Sequence, residues 1–289
     1  MRKKIVVTGG AGFVGSNLIK YLLKKTNYNI LSIDNYTSGF KSNHIRSKRV
    51  KYLKYSTKDI KKALKNHKNI QSIFHFGEFS RIYQSFLKME QCIESNSVGT
   101  HAVFNYCLSN KIKLIYSATS ASLGNKGKDK NLSPYAFTKA KNLEMLENLK
   151  RWYNYKFEII YFYNVYGPKQ ICKGEMATVI GIFEDHYKKR KPLPVVRPGS
   201  QTRRFTHIDD TIDVCYIAWK KNLCRHYSIS NRKSYSIIEV ARLFKSKIKF
   251  FPKRSGERYA SALTDKNLSN KIYKYFGKKS LKKYIQTLL

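Results

Sequence analysis

Short apolar runs alternate with amphipathic stretches along most of the chain. Ile5-Val6-Val7 leads into a glycine-rich turn, and residues 14–25 then place Leu18, Tyr21 and Leu22 on one helical face. Apolar runs at 29–34, 50–53, 70–76, 112–117 and 157–163 read as strands. The stretches 58–66, 89–109 and 134–153 read as helices. Alternation at this spacing predicts parallel βαβ units with right-handed crossovers, and so an α/β fold built on a doubly wound parallel sheet. After Tyr166-Gly167-Pro168 the texture changes. Prolines gather at 168, 192, 194, 198 and 252, and the elements shorten. We read 1–163 as the main domain, completed by about 206–230. Residues 164–205 and 231–289 then form a smaller mixed α/β region on the C-terminal side.

Composition narrows the classes. With 42% hydrophobic and 14% aromatic residues in 289, the chain can bury a core, which excludes charge-driven disorder. It has no run of 18 apolar residues, so no membrane span is expected. Met1-Arg2-Lys3-Lys4 passes straight into the first apolar run, which leaves no room for a signal peptide and points to the cytoplasm. Five cysteines without a CxxC pair or zinc spacing are expected to be reduced thiols, with no metal site. The net charge of +39 raises nucleic-acid binding as a function. However, 43 of the 57 cations are Lys, spread over the whole chain, and Tyr, Asn and Ile are plentiful beside them. Nucleic-acid readers favour Arg. The excess therefore reads as a compositional drift, and no specific nucleic acid is expected.

The glycines carry chemistry. Thr8-Gly9-Gly10-Ala11-Gly12-Phe13-Val14-Gly15 follows a strand and opens a helix. Gly9 permits a tight exit, Gly12 lets the backbone approach a pyrophosphate, and Gly15 lets the helix pack on the sheet. The helix N-terminus offers N–H groups to phosphates. Asp34, at the end of the second strand, can accept both ribose hydroxyls of an adenosine and would repel a 2′-phosphate, which favours NAD. Further along, Tyr135 and Lys139 stand four apart on one helix face, just after Ser117-Ala118-Thr119-Ser120. A free tyrosine ionises near pH ~10. A nearby ammonium favours its phenolate, which can then take a hydroxyl proton, with Thr119 relaying.

With these residues in hand, the chain resembles the extended short-chain dehydrogenase/reductases, and within them the NAD-dependent epimerase/dehydratase family of the UDP-galactose 4-epimerase type. TGGAGFVG, IDN, IFHFGE, NSVGT, SPYAFTK, YNVYGP, RRFTHIDD and RSGE occur in the family's order. The resemblance implies a Rossmann-type NAD domain with a nucleotide-sugar-binding region at its C-terminal side. It implies Thr119, Tyr135 and Lys139 as the catalytic set. It implies NAD contacts from Gly9, Gly12, Phe13, Val14, Gly15, Asp34, Asn35, Phe76, Gly77 and Asn96, together with Tyr135 and Lys139. Asn164, Arg203 and Arg254 match residues that hold the nucleotide-sugar, with Thr119 beside them. Glu78 stands where a small residue is usual and lies within reach of substrate. Ser56 replaces an Asp expected to contact adenine, Tyr161 stands where Arg is common, and Arg204 replaces an Asp.

Within that family, dehydratases and decarboxylases place a carboxylate just after the catalytic Thr. Here Ser120 and Ala121 follow Thr119. The expectation is therefore a redox-neutral 4-epimerase acting on a UDP-hexose or, through small residues at Ser261 and Ala262, a UDP-N-acetylhexosamine. The resemblance also implies a homodimer through 89–109 and 134–153. The alternatives are a dehydratase or reductase of the same family, or a non-catalytic RNA-binding Rossmann protein.

Overall fold

The apolar runs become strands in the computed structural model, which describes residues 2–256 and 272–289. The strands are β1 (Lys4–Thr8), β2 (Asn29–Asp34), β3 (Val50–Lys54), β4 (Ile70–His75), β5 (Lys113–Thr119), β6 (Phe157–Phe162), β7 (Val165–Tyr166), β8 (Leu193–Val196), β9 (Thr202–Arg203), β10 (Thr206–His207), β11 (His226–Ser230), β12 (Tyr235–Ser236), β13 (Ile248–Phe251) and β14 (Ile272–Phe276). Between them run the helices α1 (Phe13–Lys25), α2 (Ile60–Leu64), α3 (Ile82–Leu87), α4 (Met89–Ile93), α5 (Thr100–Ser109), α6 (Pro134–Tyr153), α7 (Val179–Lys188), α8 (Ile208–Lys221), α9 (Ile237–Leu243) and α10 (Leu281–Gln286).

Eight strands form one parallel sheet in the order β14-β11-β6-β5-β4-β1-β2-β3. Strands of such a sheet bury both faces, so they read as continuous apolar runs. Val6, Leu31, Ile73 and Leu114 pack on one side. Ile5, Val7, Phe74 and Ile115 pack on the other. Chain order reverses between β1 and β4, and a crevice opens there beyond the carboxyl ends of the strands, where ligands bind in such sheets. The smaller region has its own core around Tyr166, Phe183, Leu193, Phe205, Val240 and Leu281. β14, assigned by the sequence reading to that region, instead runs parallel beside β11 as the outer strand of the main sheet.

One further difference falls on a helix. The helix expected over 89–109 is interrupted by a π-helical turn at Glu94–Gly99, a form that recurs beside functional sites. At the opposite end of the sheet, Lys113 on β5 meets Glu158 on β6 at 3.0 Å, with the carboxylate fully buried. The backbone N–H groups of Cys224 and Arg225 also donate to that carboxylate, at 3.0 and 2.8 Å.

Candidate active site

At the β1/β4 reversal lies a cavity of about 630 Å³. It gathers Gly9, Gly12, Phe13, Val14, Gly15, Asp34, Asn35, Phe76, Gly77, Glu78, Thr119, Tyr135, Lys139, Asn164, Arg203 and Arg254 into one wall. The residues come from most of the length of the chain, and the sheet's topology brings them together.

The glycine turn shapes one end. A Cβ on Gly12 would meet one heavy atom within 4 Å apart from its chain neighbours, Gly9 O at 3.1 Å, so it would project into the open cradle. A Cβ on Gly15 would lie 2.1 Å from Gly9 O and 2.8 Å from Gly10 Cα, both backbone atoms that cannot rotate away. α1 carries no acidic residue in its first turn, so its positive end faces the cradle uncancelled. Asp34 closes the far side. Its carboxylate accepts from Ala11 N at 2.9 Å and Tyr36 N at 2.8 Å. Burial pushes this carboxyl above the usual range, against the pull of those two N–H groups. Its remaining lone pairs suit the two hydroxyls of a ribose. The cradle thus fits a dinucleotide. We expect Gly15→Ala to weaken NAD binding about 10- to 100-fold through overpacking, read by isothermal titration. Unchanged affinity would show that the close approach of turn and helix is dispensable.

Tyr135, expected to transfer the proton, lines the same cavity. Ser133 caps α6, accepting from Ala136 N at 3.1 Å, and Pro134 starts the helix. Tyr135 N donates to Ser85 Oγ at 3.2 Å, and the Tyr135 ring packs with Phe79 and Cys92. Thr119 ends β5, its Oγ1 accepting from Ala121 N at 3.2 Å. One turn along α6, Lys139 is buried against Glu78 at 2.5 Å and also donates to Ser117 O. Asn164 donates from Nδ2 to Arg204 O at 3.1 Å. Arg203 sits on the β9–β12 ribbon, and the Arg254 guanidinium lies 5.1 Å from the Tyr83 ring.

Some expectations change. Asn96 is fully buried and is not part of the cavity wall. Its Oδ1 accepts from Phe79 N at 2.7 Å and its Nδ2 donates to Phe79 O at 3.1 Å. It therefore holds the loop after β4 through both ends of its amide. The carboxylate of Glu78, expected near substrate, is surrounded by protein donors. Arg204 ties Asn231 O at 2.8 Å and serves the fold. Ser56 lines the cavity at the end where adenine was expected. Ser261 and Ala262 lie outside the described residues. Sequence reasoning missed Arg81, whose Nε donates to Met176 O at 2.9 Å, bridging the loop after β4 to the smaller region. No spacing in the sequence marks that contact, because its partner is a backbone atom 95 positions away.

A family model described as the NAD dependent epimerase/dehydratase family matches residues 5–230. The chain belongs to this family. NAD is accordingly its cofactor, and the glycine cradle with Asp34 has a shape and donor set that fit a dinucleotide. The protein is 29% identical to an ADP-L-glycero-D-manno-heptose-6-epimerase of Brachyspira hyodysenteriae, over 83% of this chain and 80% of that one. It is 28% identical to a putative UDP-glucose 4-epimerase of Methanocaldococcus jannaschii, over 94% and 88%. Among solved structures, a UDP-glucuronic acid 4-epimerase from Bacillus cereus, in complex with UDP-glucuronic acid and NAD, superposes with a TM-score of 0.83. It shares 25% identity and covers 98% of this chain and 96% of its own. No helix among the described residues is long and apolar enough to cross a membrane, and none of their His, Cys, Asp and Glu residues group as a metal site.

Proposed function

We propose that the protein is a nucleotide-sugar epimerase that inverts C4 of a UDP-hexose or UDP-N-acetylhexosamine. The observation that carries this reading is the single cavity in which Thr119, Tyr135 and Lys139 share a wall with Asn164, Arg203 and Arg254. NAD, when bound, supplies a reversible hydride acceptor for the sugar carbon. The chain's own residues do the rest. Tyr135 takes the proton from the sugar hydroxyl and later returns it, with the Thr119 hydroxyl beside it as a relay. Arg203 and Arg254 offer guanidinium forks to the diphosphate, and Asn164 offers its amide. Val179, Phe183, Pro194 and Val196 line an apolar slot that suits a flat base. Held by its diphosphate, the oxidised sugar can turn and present its other face.

Ala121 supports epimerisation over dehydration. It is buried, its N–H is tied to Thr119, and it has no carboxyl with which to expel water. The proposal extends to a cytoplasmic homodimer. Phe86, Leu87, Met89, Ile93 and Phe137 expose apolar surface on α3, α4 and α6, which suits a second copy. The test is a panel of UDP-, GDP-, CDP- and ADP-sugars followed by proton NMR. We expect one UDP-sugar to equilibrate with its 4-epimer. Conversion of an ADP-heptose alone, or formation of a 4-keto-6-deoxy sugar, would overturn the assignment. Salt-dependent RNA binding with no sugar turnover would favour the RNA-binding alternative.

A further inference from the structure

Glu78 lies at the centre of a buried polar chain. Its Oε2 meets Lys139 Nζ at 2.5 Å, and the two side chains are 3% and 5% exposed. Its Oε1 accepts from Tyr116 Oη at 3.0 Å, Thr100 Oγ1 at 3.1 Å and Asn142 Nδ2 at 3.3 Å. The chain continues away from the lysine. Thr100 Oγ1 lies 2.9 Å from His75 Nε2, and His75 Nδ1 lies 2.7 Å from Thr8 Oγ1. Thr8 Oγ1 in turn accepts the N–H groups of Phe76 and Gly77, at 3.0 Å each. Burial pushes His75 down to about 4, so its ring is neutral at working pH. Because the Thr100 hydroxyl proton goes to Glu78, His75 Nε2 must donate to Thr100, and Nδ1 accepts from Thr8. One set of protons therefore satisfies the whole path from the end of β1 to Lys139.

We infer that Glu78 is a positioning residue, the fixed counterion of Lys139, and that it sets the pH range over which Tyr135 accepts a proton. This rests on the proposed role of Tyr135. A bare ammonium in a low-dielectric wall stabilises a neighbouring phenolate strongly. An ammonium already neutralised by a carboxylate does so less. Glu78 thus gives Lys139 a fixed place and at the same time lowers its pull on the phenolate. The other groups that face the pair do not supply a compensating charge. Tyr116 donates to Glu78, His75 is neutral, and burial pushes the Cys92 thiol up to about 11. On the Tyr135 side stands the Arg81 guanidinium, held on Met176 O and Ser80 O.

The test uses the full chain with NAD. Glu78→Gln leaves the ammonium uncompensated. We expect the acidic limb of kcat/KM to move to lower pH by about one unit or more. In the same variant, the tyrosinate signal of Tyr135 should appear at lower pH in ¹³Cζ-tyrosine NMR, assigned against Tyr135→Phe. This arm needs no sugar, so it tests Glu78 even if every sugar nucleotide fails as substrate. Glu78→Asp keeps the charge and shortens the arm. Its limb should stay at the wild-type position while kcat falls as Lys139 is drawn aside. An unmoved limb and unmoved tyrosinate signal in Glu78→Gln would overturn the inference. So would a limb displaced in Glu78→Asp as far as in Glu78→Gln, or displaced at all where Gln does not fold.

Discussion

Tyr135→Phe should lower nucleotide-sugar turnover by about three orders of magnitude while NAD binding persists. The substitution removes one oxygen and leaves the rest of the ring. That ring packs against Phe79 and Cys92, and the backbone N–H of residue 135 keeps its bond to Ser85, so the wall of the cavity is retained. What is lost is the acceptor for the hydroxyl proton. Lys139 cannot replace it, since its ammonium carries no lone pair and is held by Glu78 and Ser117 O. Thr119 is a weak base without the phenolate. Turnover by NMR and NAD affinity by isothermal titration separate the two effects. Activity within tenfold of the parent would place the proton acceptor elsewhere.

The second large effect lies at the other end of the sheet. Lys113→Met should cost about 3–5 kcal/mol, because it leaves the Glu158 carboxylate in a dry interior without its cation. The Cys224 and Arg225 N–H groups still donate to it, but they compensate only part of a full charge. For a chain of this size the loss corresponds to a fall in Tm of the order of 10 °C. NAD affinity should not change, since Lys113 opens β5 and the cavity lies beyond its carboxyl end. A Tm shift of less than about 2 °C would mean that the Glu158 carboxylate does not depend on Lys113.

Local signals were legible in the chain and long-range ones were not. The inner strands β1, β2, β4, β5 and β6 are short apolar runs because both of their faces are covered. The turn from Gly9 to Gly15, and the pair Tyr135 and Lys139, are local patterns whose geometry follows from one turn or one helix face. Glu78 is the opposite case. Its partners lie 22, 38, 61 and 64 positions away, and only the sheet order brings them to one carboxylate. Asn96 shows the same limit, because no local pattern marks that its amide bonds the backbone of Phe79, 17 positions away. The outer place of β14 was hidden by the proline-rich texture that precedes it.

The charge of +39 also changes in meaning. Most of its lysines are scattered, but Lys139 is buried and the Lys113 side chain is only 14% exposed. Of only 18 acidic residues, Glu158 and Glu78 are placed against those two. The scarce carboxylates therefore reveal more than the abundant cations, since one pairing secures the sheet and the other holds Lys139 at the cavity.

The proposed inversion proceeds by oxidation and reduction of one sugar carbon inside this cavity. Running the reaction in D₂O with an unlabelled UDP-sugar, and reading the product by NMR, follows the hydrogen on that carbon. We expect a 4-epimer that keeps its original carbon-bound hydrogen at C4, with no solvent deuterium and no net change in NAD. Deuterium at the inverted carbon would mean that a proton is abstracted there, and would contradict it.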